Sequence, residues 1–391
     1  MDYSSNTVTD SHEGRFPNTV QEYFQKNYLR PDIRQIKAAR LDILKFLSEK
    51  RVALVIPMKE QGPVIRSLLE TIAPQMPHCM ICVVNDGSGD NAVGEVRRYG
   101  KIRFVDRNEV LNTLAWDRLM PILNLQERPK GKGITVLAGY LFHFFLAQYS
   151  GHTPQWIFQH DADIVEYVQN RGLEYLVWAV LYGKRSAHHI KMAQSGRGNE
   201  SSMAMRSALL ALSNASSALF LHGMEKIEKR AHSLFTSLAP LKWMLSGQFG
   251  LSWQLAMQRP FASGYLEETL TCAFVGDSGL STVQVSNPNI CLDAVNDYRK
   301  EGIILQLVNN FILTLAFVKK PVHRWTVSDI QSLNSGIMTR ALDMALIPPD
   351  HGPVLADTVP SERILPSIKM LKEENLINEV AAMELVKRIC T

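Results

Sequence analysis

Trp156-Ile157-Phe158-Gln159-His160-Asp161-Ala162-Asp163 runs from an apolar strand into two spaced carboxylates. Its first three residues are large and apolar, as in a strand buried on both faces, and its end is polar. Two carboxylates one residue apart, at the end of such a strand, can both reach a divalent cation if the backbone turns there. Mg2+ or Mn2+ prefers carboxylate oxygens together with substrate phosphates. A D-x-D alone is weak, because solvated loops hold it by chance. The surrounding pattern gives it weight.

Upstream, Val52-Ala53-Leu54-Val55-Ile56 is a continuous apolar run ended by Pro57. Val64 to Ile72 reads as a helix. Met80 to Val84 is a second apolar strand, ended by Asn85-Asp86-Gly87-Ser88-Gly89-Asp90. A short helix, a strand at Ile102 to Val105 and a strongly apolar helix at Ile134 to Tyr149 complete the series. Strand alternating with helix is the pattern of a doubly wound α/β sheet. Ligands of such sheets sit beyond the carboxyl ends of the strands. Here those ends carry Pro57-Met58-Lys59-Glu60, Asp86-Gly87-Ser88-Gly89 and His160-Asp161-Ala162-Asp163, where a nucleotide would lie.

On either side the pattern changes. Met1 to Thr19 is polar, with no apolar core of a signal peptide, and reads as a loose arm. Val20 to Glu49 has near-helical spacing. Beyond Glu166, helices are expected at Ser201 to His222 and Met224 to Leu238. A strand follows at Ser281 to Val285, a long helix at Asp293 to Val318, a proline-rich loop section, and two short final helices. The expected organisation is therefore an arm and helix over 1–50, an α/β nucleotide-binding domain over 51–290, and a mainly helical C-terminal region over 291–391.

The 391 residues suffice for a sizeable core. A formal net charge of only +4 gives no dense footprint for nucleic acid. The five cysteines are too few and too odd in number for a disulfide framework, which points to a reducing, cytoplasmic setting. Cys79 and Cys82 form a C-x-x-C on a strand, where residues three apart face opposite ways, so core packing is the reading there. The apolar stretch Ile303 to Val318 is broken by Gln306, Asn309 and Asn310 and is short for a membrane span.

Gly131-Lys132-Gly133 precedes the helix at Ile134. Two readings stand level: a turn offering N–H groups and a lysine charge to an anion, or a glycine-flanked turn with a solvated lysine. It is not a P-loop, since Gln126 and Gly133 stand where Gly and Ser or Thr are needed. Asp86 could accept hydrogen bonds from a base or ribose, or simply cap a turn. His188-His189, near Lys184, Arg185 and Lys191, is a basic cluster, read first as a solvated strand or loop and second as an acceptor phosphate site. No G-x-S-x-G elbow, zinc-type spacing or G-x-G-x-x-G is present.

Ile56-Pro57-Met58-Lys59-Glu60, Asp86-Gly87-Ser88-Gly89-Asp90, Gly131-Lys132-Gly133 and Asp161-Ala162-Asp163 occur in the order seen in GT-A glycosyltransferases. With Gly247-Gln248-Phe249-Gly250, Pro260-Phe261-Ala262-Ser263-Gly264-Tyr265, Glu268 and Asn287-Pro288, the chain resembles mannosyl-3-phosphoglycerate synthases, and glucosyl-3-phosphoglycerate synthases more distantly. The resemblance implies a Rossmann-like GT-A fold and transfer of a hexose, mannose from GDP-mannose, to a small phosphorylated acceptor such as 3-phosphoglycerate. It implies retention at the anomeric carbon and assistance by Mg2+ or Mn2+. Pro57, Met58, Lys59, Glu60, Asp86, Gly131, Lys132, Gly133 and Asp161 would line the donor. Lys132, Asp163, Gln248 and Glu268 would act at the transferred sugar. Asp161 and Asp163 would hold the cation. A metal histidine of the family falls near Cys291 here, and Asp293 could take its place. The acceptor segment between His188 and Arg206 matches poorly. Two rivals follow: the same chemistry on a macromolecule, a modified DNA base or a protein, and a GT-A-like fold that only binds. No membrane partner is expected, and a homodimer stays open.

Overall fold

The structure is a computed structural model and describes residues 28–49, 52–60, 62–76, 80–100, 102–162, 164–165, 171–183, 187–194, 247–264, 266–280, 282–287, 291–292, 320, 322–343 and 363–391. The elements run β1 (Tyr28–Leu29), α1 (Ile33–Ala38), α2 (Arg40–Ser48), β2 (Val52–Met58), α3 (Gly62–Ile72), β3 (Ile81–Asn85), α4 (Asp90–Arg97), β4 (Arg103–Asp106), α5 (Arg107–Leu111) and α6 (Trp116–Ile122). Then come α7 (Lys132–Ser150), β5 (Trp156–Gln159), β6 (Ile164–Val165), α8 (Gly172–Tyr182), β7 (His189–Gln194), β8 (Phe249–Ser252), α9 (Trp253–Gln258), β9 (Phe261–Ala262) and α10 (Leu266–Asp277). The chain closes with β10 (Thr282–Asn287), β11 (Cys291–Leu292), α11 (Val327–Asp343), β12 (Ile364–Leu365), α12 (Ile368–Glu373) and α13 (Glu379–Cys390).

Eight strands form one sheet in the order β1-β10-β7-β8-β5-β2-β3-β4. All pairings are parallel except those of β8, which is antiparallel to both β5 and β7. The apolar runs behave as their composition requires. Every residue of β3 is buried, as are all but Pro57 in β2, so these strands are covered on both faces. The cover on one side is α7, packed on β2 and β3. It is apolar around nearly its whole circumference, as a helix sandwiched between layers must be. α13 packs on α7 and also touches β4.

Four elements differ from expectation. The lead-in contains an edge strand, β1, paired parallel to β10, and its helix breaks at Ala39 into α1 and α2. β7, expected as a solvated strand or loop, lies inside the sheet with His189 and Lys191 buried. A short ladder joins β6 to β11, with Cys291 opposite Val165 and Leu292 opposite Ile164. β12 pairs with β9, which ties the C-terminal segment to the loop before Glu268. The helices expected over 201–222, 224–238 and 293–318, the N-terminal arm and Cys79 lie outside the described residues. Cys82 is buried in β3, and burial pushes its thiol well up, as core packing requires. Among the described residues, no helix is long and apolar enough to cross a membrane.

Candidate active site

Three segments meet beyond the carboxyl end of β5. The first is the start of α7. Gly131 is its N-cap and Lys132 its first residue. The Gly133 and Ile134 N–H groups donate to the Gly264 and Ser263 carbonyls, at 3.2 and 3.3 Å. A Cβ at Gly133 would collide with the Ala262 carbonyl, so only glycine lets the two backbones touch. Those two N–H groups are therefore spent on a loop, which leaves the Lys132 charge as what this turn can offer an anion. The rival reading fails because Lys132 is ion-paired and only partly exposed.

Lys132 Nζ lies 2.8 Å from Asp161 Oδ1 and 2.7 Å from Glu268 Oε1. Asp161 follows β5 and Glu268 stands in the first turn of α10. Exposure falls from 21% for the lysine side chain and 15% for Asp161 to 2% for Glu268. Burial alone would depress the Lys132 ammonium, but Asp161 and Glu268 together hold it well above the usual lysine range. Burial raises the Glu268 carboxyl above its usual range, against the pull of Lys132. A permanently charged cation thus sits between two carboxylates at the mouth of the sheet.

Gly247 backs this cluster. Any Cβ there would run into the Asp161 carboxylate. Gln248 is fully buried, and its Oε1, like His160 Nε2, lies against Gly172 at the start of α8. His160 Nδ1–H donates to the Asp161 carbonyl at 2.8 Å.

The ends of β2 and β3 are stitched into one rim. The Glu60 N–H donates to Ser88 Oγ at 3.0 Å, and the Gly89 N–H to Glu60 Oε1 at 2.8 Å. Glu60 itself is left-handed, with φ 54, a strain of the sort functional turns hold. Asp86 pairs with Arg107, and both are largely buried. Lys59 is exposed on the same rim, Pro57 is half-buried, and Met58 turns its side chain into the core.

Of the four expected metal ligands, Asp161 is placed with its side chain, and Cys291 by its backbone in β11. Asp163 and Asp293 lie outside the described residues. Among the described residues, no three His, Cys, Asp or Glu side chains come together as a metal cluster. The described residues alone therefore do not make a cation site.

Sequence reasoning missed three contributors. Arg107 opens α5 directly after β4, so the rule of strand ends would have found it. Arg259 and Glu267 form a buried ion pair behind Glu268. Glu267 directly precedes Glu268, and nothing in the pattern separated the two.

No family model matches the sequence, and no curated protein matches it. Solved structures of glucosyl-3-phosphoglycerate synthase from Mycobacterium tuberculosis are similar in fold. Its complex with Mn2+, UDP and glucosyl-3-phosphoglycerate matches with a TM-score of 0.51 at 18% identity, covering 70% of this chain and 84% of that one. Its complex with Mg2+ and UDP gives a TM-score of 0.53 at 17% identity, over 74% and 87%. Its complex with Mn2+, UDP and phosphoglyceric acid gives 0.51 at 18%, over 75% and 87%. At these identities the likeness is one of fold. The chain has the α/β architecture of these GT-A enzymes, as its strand order and motif order led one to expect.

Proposed function

We propose that this protein is a glycosyltransferase that moves a hexose from a nucleotide-diphosphate sugar to a small phosphorylated acceptor. The observation that carries the proposal is Lys132 held between Asp161 and Glu268 at the carboxyl end of the sheet, in the fold of a sugar-nucleotide enzyme. As a donor's glycosidic bond breaks, negative charge grows on the departing diphosphate. A preorganised cation facing that charge is worth about 3 to 4 kcal/mol, or ~100- to 1,000-fold in rate. Lys132 is that cation. Glu268, buried and anchored, accepts a hydroxyl of the transferred sugar and fixes its orientation. Gln248 lies under the sugar and acceptor. The rim of Lys59, Glu60 and Asp86 receives the nucleoside, with Arg107 setting the direction of the Asp86 carboxylate.

The finer assignments belong to the same proposal. The motif order favours GDP-mannose, whereas the structures similar in fold hold UDP. Retention rests on the resemblance alone, as does 3-phosphoglycerate as acceptor. A divalent cation, when bound, would neutralise the diphosphate; Asp161 would hold it together with Asp163 and Asp293. The cytoplasmic setting and the division at residues 50 and 290 are further parts of the reading.

The test is nucleotide release from GDP-mannose, GDP-glucose and UDP-glucose, each with Mg2+ or Mn2+, with and without 3-phosphoglycerate. Release that depends on acceptor is expected. Release that ignores 3-phosphoglycerate keeps the donor and rejects that acceptor. No release from any donor rejects the enzyme.

A further inference from the structure

Glu267 and Glu268 are neighbours on α10 but serve different partners. Successive helix residues point about 100° apart, so one can face the site while the other faces the core. Glu268 meets Lys132. Glu267 pairs with Arg259, and the two side chains are 1% and 0% exposed. Glu267 Oε2 also accepts the Ala262 N–H at 2.9 Å. Thr271 Oγ1 accepts from Arg259 Nη1 at 2.9 Å and donates to the Glu267 carbonyl at 2.8 Å. The guanidinium lies 4.2 Å from the Phe261 ring centre and 4.6 Å from that of Tyr140.

Stability does not explain such a pair. Apolar residues of like volume usually serve a core as well or better, because two charges lose their hydration on burial. Geometry offers the reason. One oxygen of Glu267 fixes the rotation of α10, and with it the aim of Glu268. The other holds Ala262, whose next two residues supply the carbonyls that seat Gly133 and Ile134 beside Lys132.

From this we infer that Glu267, held by Arg259, is a positioning residue that sets both the lysine and the carboxylate of the site. Its effect on turnover rests on the function proposed above; its effect on the Lys132 environment does not.

The experiment compares wild type with Arg259→Met/Glu267→Leu, Glu267→Gln and Thr271→Val. Each is measured for thermal midpoint and for the rate at which acetic anhydride labels Lys132, read by peptide mass spectrometry against exposed Lys369. A lysine displaced from its seat between Asp161 and Glu268 is more open to the reagent. The double variant, which leaves the Ala262 N–H without its acceptor, is expected to stay folded with a lowered midpoint and to label Lys132 about tenfold faster. Glu267→Gln still accepts that N–H and should stay within about threefold of wild type. In turnover, the double variant should lose about tenfold or more in kcat with donor KM little changed, and Glu267→Gln should retain most of it. Unchanged Lys132 labelling in a folded double variant overturns the inference. If that variant does not fold, Thr271→Val decides: faster labelling supports the inference, and labelling at the wild-type rate overturns it. If wild type releases no nucleotide, the proposed function falls while the labelling result still stands on its own.

Discussion

A carboxylate as buried as that of Glu268 is costly unless a cation meets it, and Lys132 is that cation. Lys132→Met removes the partner and leaves the carboxylate uncompensated. We expect it to cost about 3 kcal/mol of stability. Glu268→Gln added to Lys132→Met should return most of that loss, since a neutral amide tolerates the site. Turnover should stay down by ~100-fold or more in both, because the facing cation is gone. Chemical unfolding and nucleotide release, run on the same preparations, check both halves. Gly247 gives an independent test of geometry. Gly247→Ala pushes a methyl into the Asp161 carboxylate and drags it from Lys132. A displacement of about 1 Å at such a site is worth ~100-fold in rate. Activity equal to wild type would show that Asp161 has room the structure does not give it.

Elements explain what the sequence revealed and what it hid. β2, β3 and β5 were legible because burial on both faces forces a continuous apolar run, and no soluble loop imitates one. α7 was legible for the same reason at helical length. β1 was not, because an edge strand of two residues carries no periodicity, and β7 was misjudged because His189 and Lys191 look like surface residues. Their burial is decided by partners far along the chain: His189 Nδ1 meets Thr282 Oγ1 at 2.9 Å, and the Lys191 ammonium lies 5.1 Å from the Phe249 ring centre. Asp161, Lys132 and Glu268 were each picked from sequence, but their joining was not, since the loop that seats α7 uses backbone carbonyls rather than a motif. The strap formed by β12 is of the same hidden kind. Asn334 on α11 holds it: Nδ2 donates to the Leu123 carbonyl at 3.2 Å and to the Ile364 carbonyl at 3.0 Å, and Oδ1 accepts the Ile364 N–H at 2.9 Å. Asn334→Ala leaves these buried backbone groups unmet and should cost about 3 kcal/mol. Because β12 lies on β9, beside the loop that seats Lys132, kcat should fall as well. A stability loss with kcat intact would mean that the strap supports the fold without steering the site.

At the scale of the whole molecule, three histidines are buried: His143 under β2, His160 beside Asp161, and His189 within the sheet. Burial is the main cause in each case and lowers all three below the usual histidine range, with Lys191 and Arg259 adding to it at His189. His143 is lowered to about 4 from 6.5, even though its Nε2–H donates to the Leu54 carbonyl. A group with a depressed folded-state pKa favours the fold above its unfolded value and loses that contribution as pH falls through the folded one. The unfolded chain takes up these protons from about pH 6.5 downward, while the native core refuses them. Glu267 and Glu268 act in the opposite sense. Burial holds their carboxyls above the ordinary range, so they favour the fold at low pH and oppose it as pH rises. Between pH 6.5 and 4 the depressed His143 lowers stability as pH falls, and the raised carboxyls act against it. His143 alone should account for about 3 kcal/mol of lost stability on going from pH 7 to pH 4. His143→Gln can keep a donor toward Leu54 and takes no proton in that interval. Urea unfolding at both pH values should show its acid loss smaller than that of wild type by about this amount. An equal loss in the two proteins would show that His143 does not carry the acid sensitivity.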